Sequence, residues 1–264
     1  MQGDDLFRQV PEETTLLLSP LHECGYFPER PAATLFLPPG FPLDAGLFRD
    51  FLTRGFRRSG EYVYRPSCPE CERCLPVRLP VAAFVRSRSF ARVWRRNRDL
   101  EVREIEGSDD PETFALYRRY LAVRHGGGPM ADPDPGSMVE HLTCSWGVTR
   151  FVEFRLEGRL VMVAVIDKVP GALSSVYTFF DPGEQSRSLG TYGILWSIEA
   201  ARQRGDHWLY LGYWIPQSPK MRYKARFQPL EGYWQGEWVP LASAKTSSRE
   251  PASRARSNHS FTDS

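Results

Sequence analysis

Residues 149–203 read TRFVEFRLEGRLVMVAVIDKVPGALSSVYTFFDPGEQSRSLGTYGILWSIEAARQ, and this stretch decides the fold. Three segments rich in β-branched and aromatic residues, 149–158, 159–169 and 172–181, are joined by the short turns EGR and PGA. Apolar segments with such turns predict an antiparallel meander of three strands. Gly190 follows, and the apolar spacing after it predicts a helix in TYGILWSIEAARQRG.

The segments on either side of the meander extend this order. Before it, PETFALYRRYLAVRH predicts a helix that the stretch HGGGPMADPDPGS ends. After it come a predicted strand in HWLYLGYWI, a short helical SPKMRYKARF and a last strand near EGYWQGEWV. The order helix, three strands, helix, strand, short helix, strand predicts an α+β fold with a mixed, largely antiparallel sheet.

The first hundred residues have a different pattern. Short apolar segments alternate with prolines, and helices are predicted in LDAGLFRDFLTRG and in FVRSRSFARVWRRNRDL, the second with one buried and one basic face. We therefore predict a small N-terminal α+β domain over 1–100 and a second domain over 101–241. The Ser- and Arg-rich residues 242–264 carry too few large apolar groups to fold, which predicts a disordered tail.

Composition indicates a soluble globular protein. The chain has 264 residues, 41% of them hydrophobic, which is enough for a substantial core. No apolar run approaches the ~20 residues that a membrane span needs. The first residues, MQGDDLFRQVPEE, lack the charged-then-apolar order of a signal peptide. We expect a cytoplasmic protein without a membrane partner, and a monomer by default.

Positive charge is concentrated in one block. The formal net charge is only +2, yet residues 73–98 contain eight arginines and no acid. Arginine is the side chain best suited to forked contacts with phosphate, so the block predicts an anion-binding surface. The alternative is a solvated face that acids elsewhere in the fold balance.

The cysteines suggest a metal or a cluster of reduced thiols. Cys68, Cys71 and Cys74 lie in PSCPECERC, and Cys24 lies upstream in HECGYFPERP. Thiolates at this spacing can converge on zinc or an iron–sulfur cluster, with Cys24 as a fourth ligand. The other interpretation is a set of reduced thiols that pack a turn.

The second half resembles the acyl-CoA N-acyltransferase (GNAT) fold, in which a loop and a helix N-terminus bind the pyrophosphate of the acyl donor. Here RSLGTYGILWSIEAA stands in that place, with Gly190 and Thr191 at the start of the helix. The loop departs from the usual Q/R-x-x-G-x-G/A pattern, because Tyr192 replaces the second glycine.

A more specific resemblance covers residues 6 to 240. The motifs CGYFPERPAATLFLPP, YRPSCPECERCLPVRLPV, SVYTFFDP, RSLGTYGILWSIE, LYLGYWI and SPKMRYKARFQPLE resemble those of the bacterial leucyl-tRNA:protein transferases, relatives of the eukaryotic arginyl-tRNA:protein transferases. The resemblance implies a small N-terminal domain, a GNAT-like domain and an aminoacyl-tRNA donor. It also implies transfer of leucine to proteins that begin with Asp or Glu, which marks them for degradation through the N-degron pathway.

Transfer from an ester to an amine needs no cofactor, since positioning two substrates is most of the work. A cation must bind the acidic side chain of the acceptor, and the candidates are Arg78, Arg118, Arg119 and Arg222. Backbone amides near Gly190 and Thr191 would bind the donor, together with the cations Arg187, Lys220 and Lys224. The candidate catalytic groups are Tyr177 and Tyr223 for stacking or proton donation, His125 as a base and Asp181 for the substrate amine.

Three alternatives stay open from the sequence. The donor could be arginyl-tRNA, since the pocket that separates leucine from arginine is not legible. The chain could be a CoA-dependent N-acetyltransferase on the same fold. It could also be a non-catalytic metal- and RNA-binding module built on the cysteines and the arginine block.

Overall fold

The structure is a computed structural model that describes residues 14–107, 110–124 and 133–247. Six short strands come first along the chain: β1 (Leu17–Leu18), β2 (His22–Glu23), β3 (Pro31–Ala32), β4 (Thr34–Phe36), β5 (Arg57–Ser59) and β6 (Tyr62–Pro66). Strands β1, β4, β6 and β5 form a four-stranded sheet in that order, and β2 pairs with β3. Helix α1 (Ala45–Thr53) begins at Asp44, whose carboxylate accepts a hydrogen bond from the Leu47 amide.

A second sheet has eight strands. They are β7 (Leu75–Pro80), β8 (Glu101–Ile105), β9 (Thr149–Leu156), β10 (Arg159–Val169), β11 (Ala172–Phe180), β12 (Trp208–Trp214), β13 (Glu231–Trp234) and β14 (Glu237–Pro240). Their order is β14-β13-β7-β12-β11-β10-β9-β8, and β11 with β12 is the parallel pair. The sheet is therefore mixed and mostly antiparallel, which confirms the predicted class.

Helices cover both faces of this large sheet. They are α2 (Arg88–Arg96), α3 (Pro111–Arg124), α4 (Pro135–Leu142), α5 (Leu189–Gln203) and α6 (Leu241–Ser247). Helices α2 and α5 pack with Met162, Ala164 and Ile166 in one core. On the other face Val163 and Val165 contact α3 and α4, and Val169 contacts the core around α1. Alternate residues of β10 therefore pack into the cores on the two opposite faces of the sheet.

Several predicted elements differ in detail. Helix α4 lies at the end of the stretch predicted only to break structure, because Asp134 caps it and Pro135 suits its first turn. The predicted last strand is a hairpin, with Gln235 and Gly236 at positive φ in its turn. Helix α6 occupies 241–247, so the predicted disordered tail does not begin at 242, and the rest of that tail lies outside the described residues.

The predicted boundary at residue 100 stays a prediction, although the large sheet crosses it. Strand β7 comes from the first hundred residues and lies between β12 and β13. In the described ranges no helix is long and apolar enough to cross a membrane.

Candidate active site

The parallel strands β11 and β12 separate partway along their length. They pair from Ala172 with Trp208 to Ser174 with Tyr210, and then the pairing ends. Both strands continue, β11 to Phe180 and β12 to Trp214. A register shift interrupts each strand's pairing with its other neighbour close to this point. We call the gap between 176–180 and 211–214 the notch.

Arg57 of β5 lies in the notch. Its Nη2 donates a hydrogen bond to the carbonyl of Val176 at 3.2 Å, and its guanidinium lies 5.5 Å from the ring centre of Tyr213. No carboxylate of the described residues forms an ion pair with Arg57, which is half-buried. A forked cation with spare donors is therefore available for an acidic ligand. Nothing in the sequence singles out Arg57 as a binding residue, because it is one of two arginines between the glycines of RGFRRSG.

Gly212 leaves the space that Arg57 occupies. Its φ is +71°, and a Cβ added there would lie 2.5 Å from the Arg57 Cζ. Gly212→Ala should therefore displace the guanidinium and strain the backbone by about 1–2 kcal/mol. We expect the midpoint temperature of thermal unfolding to fall modestly. Any activity that depends on the Arg57 guanidinium should fall by more than tenfold. Gly236→Ala, a positive-φ glycine with open space around it, is the matched control. Equal losses in both variants would contradict the role given to the Arg57 position.

Lys224 lies under the notch as a buried amine. It is 6% exposed, and its Nζ donates to the carbonyl of Tyr213 at 2.6 Å. Burial, reinforced by the charge of Arg57, lowers its pKa well below the ordinary lysine value. This hydrogen bond holds the end of β12. The role of Lys224 as a cation that binds the donor stays a prediction.

Tyrosines line one side of the notch. Tyr177 of β11 is half-buried, and its ring packs edge-on against Tyr117 and Tyr120 of α3. Burial raises its pKa, and the neighbouring tyrosines add to the effect. Tyr223 is 39% exposed, and its pKa is raised by burial and then by Tyr120. Both phenols are neutral at pH 7 and can donate hydrogen bonds. Their catalytic roles stay predictions.

The N-terminus of α5 lies at the same end of the sheet. Ser188 precedes it with φ +54°, and Thr191 and Tyr192 amides bond back to its carbonyl. Packing favours glycine at position 190, because a Cβ there would lie 3.1 Å from the Phe180 ring. The sequence alone does not show this contact. Tyr192 is buried against Trp94 and Phe154 and is not placed to stack a base.

The other predicted cations are mostly engaged elsewhere. Arg78 stacks between Trp208 and Trp238, and its Nε pairs with Glu231 at 2.8 Å. Arg187 pairs with Asp99 through two nitrogens, at 2.9 and 3.0 Å. Both arginines are thus paired within the folded chain, and their roles, Arg78 in binding the acceptor and Arg187 in binding the donor, stay predictions.

The remaining candidates are spread around α3 and the segment after β12. Asp181 accepts a 2.7 Å hydrogen bond from Arg159 and lies 3.9 Å from Arg119. Lys220 Nζ donates to the carbonyl of Arg124 at 3.2 Å. The exposed cations among them are Arg118, Arg119, Lys220 and Arg222, and His125 lies outside the described residues. The structure therefore does not gather the predicted set into one site.

The four predicted metal ligands are near one another as free thiols. The pKa of Cys74 is raised to about 12 by burial and then by Cys24, Cys68 and Cys71. Within 14–107, 110–124 and 133–247, however, no group of three or more Cys, His, Asp or Glu side chains is placed to hold a metal ion. We assign no step to a metal, and a metal at these cysteines stays a prediction.

A histidine outside the notch gives a pH-dependent prediction. His141 Nδ1 lies 2.8 Å from Ser59 Oγ, and burial followed by Arg58 and Arg57 lowers the pKa of His141. Because the unfolded chain takes up this proton more readily, stability should fall as the pH drops below about 6.5. His141→Gln should flatten the decline of the unfolding free energy between pH 7 and 5, measured by urea titration. An unchanged slope in the variant would contradict this assignment.

The order β11, α5, β12 within a mixed sheet confirms the predicted GNAT-like fold, the fold of N-acyltransferases. The family model described as "Arginine-tRNA-protein transferase, N terminus" matches residues 22–92, and "Arginine-tRNA-protein transferase, C terminus" matches 112–233. The chain belongs to the arginine-tRNA-protein transferase family, and the predicted enzyme class, an aminoacyltransferase, is confirmed.

Curated relatives carry a common name. The aspartate/glutamate leucyltransferase of Pseudomonas fluorescens (strain Pf0-1) is 46% identical over 220 residues, which cover 83% of this chain and 94% of the relative. That of Saccharophagus degradans (strain 2-40) is 40% identical over 228 residues, covering 86% and 97%. Among solved structures, L-PGS from Bacillus licheniformis is 10% identical, covers 69% of this chain and 65% of that chain, and has a TM-score of 0.42.

Proposed function

We propose that this protein transfers leucine from leucyl-tRNA to the N-terminal amine of proteins that begin with Asp or Glu. The observation that carries the acceptor class is Arg57, a cation in the notch that no described carboxylate neutralises. The names of the relatives at 40–46% identity support leucine as the donor amino acid.

In the proposed reaction the acceptor amine attacks the carbonyl carbon of the aminoacyl ester. A C–N bond forms, the C–O bond to the ribose breaks, and the amine proton passes to the ribose oxygen. A free α-amine has a pKa near ~8, so a useful fraction is already neutral at pH 7. The protein therefore has to hold the two substrates and needs no strong base, which suits a notch lined by neutral phenols.

Arg57 would bind the acceptor's side-chain carboxylate. Its Nη2 bonds to the Val176 carbonyl, and no described residue accepts a hydrogen bond from Nε or Nη1. Because the guanidinium is half-buried, a neutral side chain would leave its donors without partners and be rejected. The α-amine of the acceptor would then lie between Arg57 and the separated strands.

The cellular context follows from this chemistry. A tRNA donor places the reaction in the cytoplasm, and an added leucine on an acidic N-terminus would mark the acceptor for degradation. We take the active form to be a monomer, because the notch is built from one chain.

Transfer of radiolabelled amino acid from charged tRNA to peptides tests the proposal. Leucine on peptides that begin with Asp or Glu, and not on those that begin with Arg or Ala, is the expected result. Arginine in place of leucine would keep the enzyme class and overturn the donor. Acetyl transfer from acetyl-CoA would favour the N-acetyltransferase alternative, and RNA binding without any product would favour the binding module.

Metal at the cysteines stays a prediction with its own test. Element analysis of the full chain purified without chelators is compared with the Cys68→Ser/Cys71→Ser variant. Stoichiometric zinc or iron in the unmodified protein, absent from the variant, would show that these cysteines bind metal. Metal-free, active protein would support the interpretation as packed thiols.

A further inference from the structure

Helix α2 carries a solvent-exposed basic face. Ser87 caps the helix, and Phe90 packs its buried side into the main core. The opposite side presents Arg88, Arg92 and Arg95, all exposed, at a spacing that aligns them on one face. The helix contains no acid. It therefore presents concentrated positive charge to solvent.

These arginines differ from their neighbours in having no ionic partner. Arg86 pairs with Glu199 at 2.7 Å, and Arg187 pairs with Asp99. The side chains of Arg88, Arg92 and Arg95 form no hydrogen bond or ion pair with another described residue. The alternative in which nearby acids balance the block therefore fails for this part of it.

The position of α2 links the face to the active site. At its start, Phe90 stacks on Phe227 with ring centres 4.6 Å apart, and Arg226 lies 5.5 Å from the Phe90 ring. At its end, Arg96 donates to the carbonyl of Ser186, and the Asn97 side chain donates to the carbonyl of Arg187 at 2.9 Å. The helix thus joins the segment after β12 to the loop before α5.

Two further exposed arginines lie between the packed side of α2 and the notch. Arg222 and Arg226 are exposed in the short helical segment 222–226, and the carbonyl of Arg222 accepts from the Trp214 indole at the end of β12. We call Arg88, Arg92, Arg95, Arg222 and Arg226 the basic strip. Three of its arginines lie on the exposed side of α2, and two lie in the segment 222–226, where the Arg222 carbonyl contacts the end of β12.

We propose that the basic strip docks the phosphate backbone of the tRNA arm that carries the amino acid. This inference rests on the proposed function and adds to it the surface that holds the donor. A rise of about 1.5 Å per residue separates the backbones of Arg88 and Arg95 by about 10 Å. Guanidiniums spread over that length can contact neighbouring phosphates of one strand. Forked guanidiniums bind such phosphates without regard to base sequence.

The test compares two full-length variants of equal charge. Arg92→Gln/Arg95→Gln removes two arginines of the strip, and Arg30→Gln/Arg103→Gln removes two from elsewhere on the surface. Binding of uncharged tRNA is measured by fluorescence anisotropy at several salt concentrations. The strip variant should bind about tenfold more weakly, and its slope of log K against log salt should be shallower by roughly 2, one unit for each lost phosphate contact. The control should bind like the unmodified protein.

Kinetics separate this inference from the proposed function. With leucyl-tRNA as substrate, the strip variant should show a KM raised about tenfold and a kcat within twofold, because docking is distant from the chemistry. If the unmodified protein transfers leucine while the strip variant keeps its tRNA affinity and salt slope, the docking surface lies elsewhere and the proposed function stands. If the unmodified protein neither binds tRNA nor transfers leucine, both fail.

Discussion

Replacing Arg57 by Gln should lower kcat/KM for transfer to a peptide that begins with Asp by about 100-fold, or ~2.7 kcal/mol. The loss arises because Gln cannot offer a charged fork to the acceptor carboxylate, while the half-buried setting of Arg57 makes that contact strong. Measuring transfer to paired Asp and Asn peptides gives the sharper result. The preference for Asp over Asn should nearly vanish in the variant.

A conservative variant separates binding from folding. Arg57→Lys keeps the charge and loses the fork, so it should recover part of the Asp preference and remain below the unmodified protein. Circular dichroism and thermal unfolding check that each variant is folded. A folded Arg57→Gln protein that still prefers Asp over Asn by the original factor would show that another residue reads the acceptor.

Replacing Arg58 by Met should destabilise the protein by about 3–5 kcal/mol. Arg58 and Asp167 are 1% and 0% exposed at their side chains and bond through two nitrogens, at 2.6 and 2.8 Å. Burial opposes the charge on Arg58, yet the attraction of Asp167 prevails and raises the pKa of the guanidinium. Without Arg58 the Asp167 carboxylate is buried and unpaired. Chemical unfolding followed by fluorescence measures the loss.

A double variant tests the physical cause. Arg58→Met/Asp167→Met removes both charges, so it should be more stable than Arg58→Met alone. Arg58 also bonds to the carbonyl of Leu142 at 3.0 Å and to Thr149 at 2.7 Å, so full recovery is not expected. A double variant as unstable as the single one would assign the effect to these other bonds.

Periodicity predicts the regular elements well, since it reports which side of an element is buried. The apolar segments and short turns in 149–181 predict the meander, and the spacing of Phe90, Val93 and Trp94 predicts the buried side of α2. Periodicity is less informative where a capping residue determines that a helix forms. Asp134 and Pro135 start α4 inside a Gly- and Pro-rich stretch that on average opposes a helix.

The candidate site was harder to predict, because charge alone does not say whether a partner lies nearby. Arg78 and Arg187 have the residue type that acid recognition needs, yet each is paired in the folded chain. Arg57 has the same side chain and pairs with no carboxylate of the described residues, and only the tertiary structure separates the three arginines. Lys224 shows the same limit, since its motif gives no sign that the amine is buried.

The place of β7 in the large sheet has a consequence for synthesis. Leu75–Pro80 pairs with Trp208–Trp214, a strand made much later along the chain. At about 5–20 residues per second, β7 emerges from the ribosome roughly ten seconds before that partner exists. During this delay the nascent chain carries an apolar strand with open edges, which is a natural substrate for chaperones. Slow decoding between the two strands would lengthen the exposure and lower the yield of folded protein.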